Sequence, residues 1–288
     1  MGSVTVSTKD ISELRARTGA GIGDCKKALE EAGGDLDKAA EILRLKGIAK
    51  ADKRAGRVAS QGLVAMELVA DGSAGSMIEL DCETDFVART DDFKQAARAL
   101  ARHASQTAPL GVTNVETDAA YGALPLAGQT VSDVVKGLSA KTGEAVTLRR
   151  AARFAPKGGV VGHYLHHNHQ VGVLVELEGA TGPDAVQLAK DIAMHVSHAD
   201  PMGVTTADIP TALMDRERRI AEQQVADEGK PENIRGKIVE GKIRKFAAER
   251  SLVDQHFVRD ESKTVGQLVA AVPGAKVVRF ARFKVGEA

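Results

Sequence analysis

Apolar and polar positions change their period several times along this chain, and each change marks a predicted element. From residue 7 to 46, apolar residues recur at helical spacing: Ile11 and Leu14, then Ala28 and Leu29, then Leu36, Ala39, Ala40 and Leu43. TGAGIG and Gly33-Gly34 interrupt the series, Asp35 stands where a helix cap belongs, and Gly47 closes it. Three short helices over about forty residues make a minimal bundle, near the lower size limit for independent stability. Residues 46–57, KGIAKADKRAGR, then gather Lys46, Lys50, Lys53, Arg54 and Arg57 against a single acid. That run reads as a solvated linker or an exposed helix extension, with an electrostatic contact to an acidic partner as the alternative.

Beyond it, runs of strand character appear in pairs. GLVAMELVADGSAGSMIEL (62–80) reads as two strands around a turn at Asp71-Gly72. GVVGHYLHHNHQVGVLVEL (159–177) has the same form, with a polar tip at His167-Asn168-His169. Each pair precedes an amphipathic helix, at 91–105 and 184–198. TVSDVV (130–135) recurs as TVGQLV (264–269), and each leads into a basic-edged strand, 146–154 or 277–285. The unit strand–strand–helix–helix–strand is therefore expected twice. The second occurrence holds an insertion at about 208–250, helical and folding back at DEGKPEN, with Pro231 suited to a helix's first turn. Ile220 and Val225 on one limb are expected to face Ile234, Ile238, Ile243 and Phe246 on the other. Such a helical hairpin reads as a structural arm or as a projection that carries contacts.

Composition narrows the class. Apolar residues are 43% and charged residues 27% of the 288, which suits a packed core and not a disordered chain. At roughly 150 residues per domain, the length gives about two domains and room for a small third. Aromatics are 3% with no Trp, so the core falls to Ala, Val, Leu and Ile. Lys+Arg and Asp+Glu both count 39, which argues against a chain-wide grip on nucleic acid or an anionic membrane. Cys25 and Cys82 lie outside any CxxC, no run approaches the ~18 apolar residues of a membrane span, and MGSVTV does not read as a signal peptide. A soluble intracellular protein from a reducing compartment is expected.

Catalytic motifs are absent from the sequence: it contains no P-loop, strand-linked GxGxxG, HExxH or GxSxG. Four histidines crowd HYLHHNH (His163, His166, His167, His169). Zinc and an exposed hairpin rim are both open readings, although ligands this crowded rarely wrap a tetrahedral ion without a distant fourth. In ELDCETDFVAR (79–89), Ile78, Leu80 and Cys82 predict a strand with one buried face, and Asp81, Glu83 and Asp85 arrive as it gives way to a helix. Those acids could mimic paired catalytic carboxylates, but no partner base lies near in sequence. Phe86 beside them reads as core material or as an exposed wedge.

RARTGAGIGDCKKAL (15–29) and ELDCETDFVAR (79–89) resemble the two signature segments of bacterial elongation factor Ts, the guanine nucleotide exchange factor for elongation factor Tu. DIAMHV (191–196), EGKPENIRGKIVEGKIRKF (228–246), SKTVGQL (262–268) and RFKVGEA (282–288) are similar to the family as well, in its order. The resemblance implies an α+β fold with an N-terminal three-helix, UBA-like domain (1–46) and a basic linker (47–57). Two similar α+β subdomains with antiparallel sheets follow, at 58–155 and 156–288, the second bearing the helical hairpin. It implies a cytoplasmic translation factor that is not an enzyme and needs no cofactor or metal. Its partner would be elongation factor Tu, GDP-bound and nucleotide-free, in a one-to-one complex with a monomer.

In the family, the Asp-Phe of the TDFV segment is inserted beside helices of the GTPase domain near its magnesium site. Here that pair is Asp85 and Phe86, flanked by Thr84 and Val87. Arg15 and Ile22 match family positions that contact the GTPase domain, and His166 matches a position in the second hairpin. A protein-binding scaffold that uses the N-terminal helices without exchange is the alternative. Gly23, Asp81 and Gln170 depart from the family's usual apolar residue, Asn and Arg. The sequence ends at VGEA where many long members continue into a further helical segment, a contact expected to be missing here.

Overall fold

The computed structural model describes residues 6–229 and 231–287. Ser7 caps α1 (Thr8–Thr18) by accepting from the Asp10 N–H, and Gly19 ends it at φ 70°, where a side chain would be strained. α2 (Ile22–Glu31) and α3 (Leu36–Asp52) follow, the latter capped by Asp35, which accepts from the N–H groups of Asp37 and Lys38. Leu14, Cys25, Ala28, Leu29 and Ala39 form the core these three helices share.

α3 does not stop at Gly47. A Cβ at that residue would lie 2.8 Å from the Ala140 Cβ, so the glycine marks a helix crossing and not a helix end. The helix therefore takes in the first half of the expected linker. Four basic residues of the 46–57 run have partners: Lys46 pairs with Glu31, Lys50 with Asp24 and Arg57 with Glu83, and Arg54 donates to the Ser139 carbonyl. Segment 47–57 is a helix extension as far as Asp52 and a mostly exposed stretch beyond it.

The chain continues through β1 (Gln61–Leu68), β2 (Gly75–Cys82), α4 (Asp85–Ala88), α5 (Asp91–Thr107), β3 (Gly111–Asn114) and α6 (Ala119–Gly122). β4 (Pro125–Leu126), β5 (Gln129–Thr130), α7 (Val131–Thr142) and β6 (Val146–Phe154) come next. One sheet runs β1-β2-β6-β3, and β4 and β5 form a short antiparallel ribbon. α5 lines up Phe93, Ala97, Leu100, Ala101 and Ala104 on one stripe, which packs with Leu63, Ile78, Leu80 and Leu148. α7, the helix that meets α3 at Gly47, starts with a capping box between Thr130 and Asp133.

The remaining elements are β7 (Gly159–Leu165), β8 (Val171–Glu178), α8 (Pro183–Ala199), α9 (Thr211–Asp227) and α10 (Glu232–Arg250). They are followed by β9 (His256–Phe257), β10 (Asp260–Thr264), α11 (Val265–Ala270) and β11 (Lys276–Lys284). A second sheet runs β11-β8-β7, with β7 and β8 antiparallel from Gly159↔Glu178 to Leu165↔Gly172. α8 approaches β7 so closely that a Cβ at Gly162 would meet the Ala189 carbonyl at 2.2 Å. β7 ends at Leu165, so His166, His167 and His169 lie in the turn, and strand alternation does not sort their faces.

α9 and α10 pack through Ala221, Val225, Val239 and Ile243, with Ile238 and Met214 partly covered. Ile220 and Ile234, expected inside, are exposed. Val225, Ile243 and Ile238 take the expected inner positions, and Ala221 and Val239 are buried with them while Ile220 and Ile234 are not.

The chain forms two compact units. One takes the chain through Glu67, then Ile78–Ala152 and the residues from Lys284; the other takes Leu68–Met77 and Arg153–Phe283. The fold is α+β, and among the described residues no helix is long and apolar enough to cross a membrane.

Candidate partner-binding site

β2 turns Ile78, Leu80 and Cys82 into the core, as their alternation predicts. Its other face is covered too: every residue from Gly75 to Cys82 is buried, including Glu79 and Asp81. The cover comes from the neighbouring strand and the C-terminal residues. Arg150 Nε donates to Glu79 Oε2 at 2.7 Å, Arg149 Nη1 lies 3.6 Å from Asp81 Oδ2, and the Gly286 N–H donates to Glu79 Oε1 at 3.3 Å. Asp81 is 1% exposed, and its Oδ1 has no hydrogen-bond partner. Burial, reinforced by the Glu79 charge, pushes its carboxyl up to about 7. Burial raises Glu79 as well, against the pull of Arg150.

After Cys82 the chain leaves the sheet and makes the single turn of α4. Thr84 caps it, its hydroxyl accepting from the Val87 N–H at 3.5 Å. Ala88 and Val87 pack toward the core of α5 and β2. On a one-turn helix that leaves the two intervening side chains outside. Phe86 is 80% exposed, whereas Phe93, in the first turn of α5, is fully buried. Asp85 pairs with Arg89 at 2.7 Å on the outer surface. Glu83 turns the other way: it accepts from the Ala145 N–H at 2.7 Å and from Arg57 at 3.3 Å. The Ala145 N–H above all holds its carboxyl below the usual range.

The three acids of the motif therefore occupy three environments: one buried, one bound to backbone, one facing solvent beside Phe86. They do not assemble into a pair for acid–base chemistry. Cys82 is a free buried thiol that burial pushes up to about 12. Sequence reasoning passed over Glu144, whose carboxylate accepts from both the N–H and the hydroxyl of Thr84. Its only local signal is a polar residue directly after the Gly143 helix stop.

Arg15 and Ile22 come together in the three-helix bundle. With Thr8, Ile11, Ala16 and Gly19 they line an open groove of about 570 Å³ between α1 and α2. Ile22, at the first position of α2, is 60% exposed. His166 belongs to the other unit, where its N–H donates to the Val171 carbonyl at 2.9 Å and its Nδ1 lies 3.0 Å from the Tyr164 hydroxyl. Among the described residues no group of three or more His, Cys, Asp or Glu side chains is placed to hold a metal ion.

The α+β chain thus exposes a phenylalanine on a capped turn and an isoleucine beside an open groove. The family model described as elongation factor TS matches residues 83–287. Proteins named elongation factor Ts align along nearly the whole chain. That of Thioalkalivibrio sulfidiphilus is 45% identical over 285 residues, 99% of this chain and 93% of the relative. That of Alkalilimnicola ehrlichii is 43% identical over 284 residues, with the same coverage. The Aquifex aeolicus protein is 40% identical over 292 residues, 98% of this chain and 99% of its own. The chain belongs to the elongation factor Ts family of translation elongation factors.

Proposed function

We propose that this protein is a guanine nucleotide exchange factor for elongation factor Tu, and that Asp85 and Phe86, flanked by Thr84 and Val87, are the wedge that loosens GDP. The observation that carries the reading is the exposure of Phe86 on a turn otherwise anchored to the core. A GTPase holds GDP through its phosphate loop and the associated magnesium ion. An apolar side chain can enter a hydrophobic slot beside that site, while the adjacent carboxylate perturbs the polar network around the metal. Bound nucleotide and bound factor then weaken each other equally, by linkage.

Arg15 and Ile22 supply a second contact from the N-terminal bundle, and His166 a third. We read that bundle as UBA-like, and the two sheets as copies of one duplicated core. Both sheets place the second hairpin strand between the first and the final strand, β1-β2-β6 and β7-β8-β11, which supports the duplication. A core with two copies suits a cytoplasmic monomer in a one-to-one complex.

Burying one Phe contributes about 1.5–3 kcal/mol, and ~1.4 kcal/mol is a factor of ten. Phe86→Ala is thus expected to slow stimulated GDP release by one to two decades without abolishing it. The test is stopped-flow release of fluorescent GDP from elongation factor Tu by the wild type, Asp85→Ala and Phe86→Ala. Acceleration by the wild type, blunted in both variants, is the expected result. No acceleration by the wild type would sink the reading and leave a scaffold that binds through its helices.

A further inference from the structure

We propose that Glu144 is a positioning residue, which holds the Asp85–Phe86 turn in its docking geometry. The functional half of this inference rests on the exchange reading above; the structural half does not.

A four-residue helix cannot hold itself, because one turn fixes several dihedrals for a single hydrogen bond. Phe86, being exposed, makes no burial of its own to define its direction. Its orientation must come from the flanks. On the C-terminal side, Val87 and Ala88 pack inward. On the N-terminal side, the cap residue Thr84 carries the turn's first contacts. The Glu144 carboxylate takes the Thr84 N–H at 3.0 Å with one oxygen and the Thr84 hydroxyl at 2.6 Å with the other. Because that hydroxyl hydrogen is committed to Glu144, its lone pairs are left for the Val87 N–H, and the acid thereby sets the cap's rotor.

The arrangement is reciprocal. Glu83 reaches back to the Ala145 N–H at 2.7 Å, so segments 83–84 and 144–145 each bind a backbone N–H of the other through a side chain. The Glu144 carbonyl accepts from Ser139 Oγ at 2.5 Å, which ties the clasp to α7. α7 is also the helix that meets α3 at Gly47 and Ala140. One acid thus fixes the wedge to the helix that the N-terminal bundle packs against. Preorganisation of this kind preserves binding energy that a mobile turn would lose to ordering.

The experiment compares wild type, Glu144→Ala and Glu144→Gln in the full chain by two readouts. The first is amide hydrogen exchange of Val87–Thr90 in the free protein. The second is the maximal rate of GDP release from elongation factor Tu and the concentration giving half of it. In Glu144→Ala, exchange at 87–90 should accelerate at least tenfold, with β2 and α5 protected as before and the maximal release rate lowered. Glu144→Gln, which keeps an acceptor toward Thr84, should recover most of both. Should Glu144→Ala fail to fold, Glu144→Asp, which keeps the charge but draws both acceptors one methylene back from Thr84, takes its place. Unchanged amides at 87–90 would overturn the inference, and so would equal loosening of β2 and α5, the sign of a general stabiliser. If the wild type does not accelerate release, the exchange reading falls, and the amide readout still decides the clasp.

Discussion

Phe86 and Phe93 sit seven residues apart and serve opposite ends. Phe86 leaves about 1.5–3 kcal/mol of burial unrealised in the free protein, while Phe93 fills the core beneath α5. Phe86→Ala should therefore leave the unfolding free energy within about 0.5 kcal/mol of wild type. Phe93→Ala should cost about 3–5 kcal/mol. Denaturant titration of both variants is the check; a large loss in Phe86→Ala would mean that the side chain packs internally. The contrast was partly legible, because Phe93 falls in step with Ala97, Leu100, Ala101 and Ala104, and Phe86 precedes that period. The burial of Glu79 and Asp81 was not. Their cover comes from Arg149, Arg150 and Gly286, which no local pattern connects to β2.

At the scale of elements, helix existence was readable and helix purpose was not. Glycine inside α3 looked like a terminator, whereas its missing side chain is what admits Ala140. Gly47→Ala should thus lose about 1–3 kcal/mol through forced separation of α3 and α7, against its gain in helix propensity. Gly236→Ala and Gly241→Ala on α10 are the counterparts: an added Cβ at either meets nothing within 4 Å. Each should gain about 0.5–1 kcal/mol. Guanidinium midpoints at constant slope would show the opposite signs. In the α9–α10 hairpin, periodicity located the helices and placed Val225, Ile238 and Ile243 correctly in the seam, but not Ile220 and Ile234. Ala221 and Val239 are buried there instead, and the larger Ile220 and Ile234 remain outside.

For the whole molecule, two buried groups set opposing pH dependences. Asp81 titrates near 7 when folded and near 4 when unfolded, so the folded chain binds more protons in between. Its contribution is fully present below about 4 and is lost as pH rises through 7. His195 runs the other way. Its Nε2 lies 2.9 Å from Gln255 Oε1, its Nδ1 accepts from the Val258 N–H at 3.2 Å, and burial lowers its affinity for a proton. That stability is present above about 6.5 and is lost as pH falls below it. Asp81→Asn should flatten the alkaline limb, gaining on the order of 2–4 kcal/mol relative to wild type at pH 8 and little at pH 4. Chemical denaturation across that range tests it, and parallel profiles would show that Asp81 does not carry the limb. The succession of strands and helices was legible in the sequence, but the division of the chain between two units was not, since it depends on where the chain returns.

That return has a consequence for how the protein is made. Glu79 takes a backbone N–H from Gly286 in addition to the Arg150 guanidinium, and Arg149 and Arg150 both donate to the Glu287 carbonyl. During synthesis, β2 and β6 emerge before all of α8 to α11, so Glu79 has Arg150 but not yet the Gly286 N–H while those elements are translated. At roughly 5–20 residues per second that wait is on the order of ten seconds. The last hydrogen bonds of the first sheet's acid–arginine cluster therefore form only after residues 286 and 287 have been made.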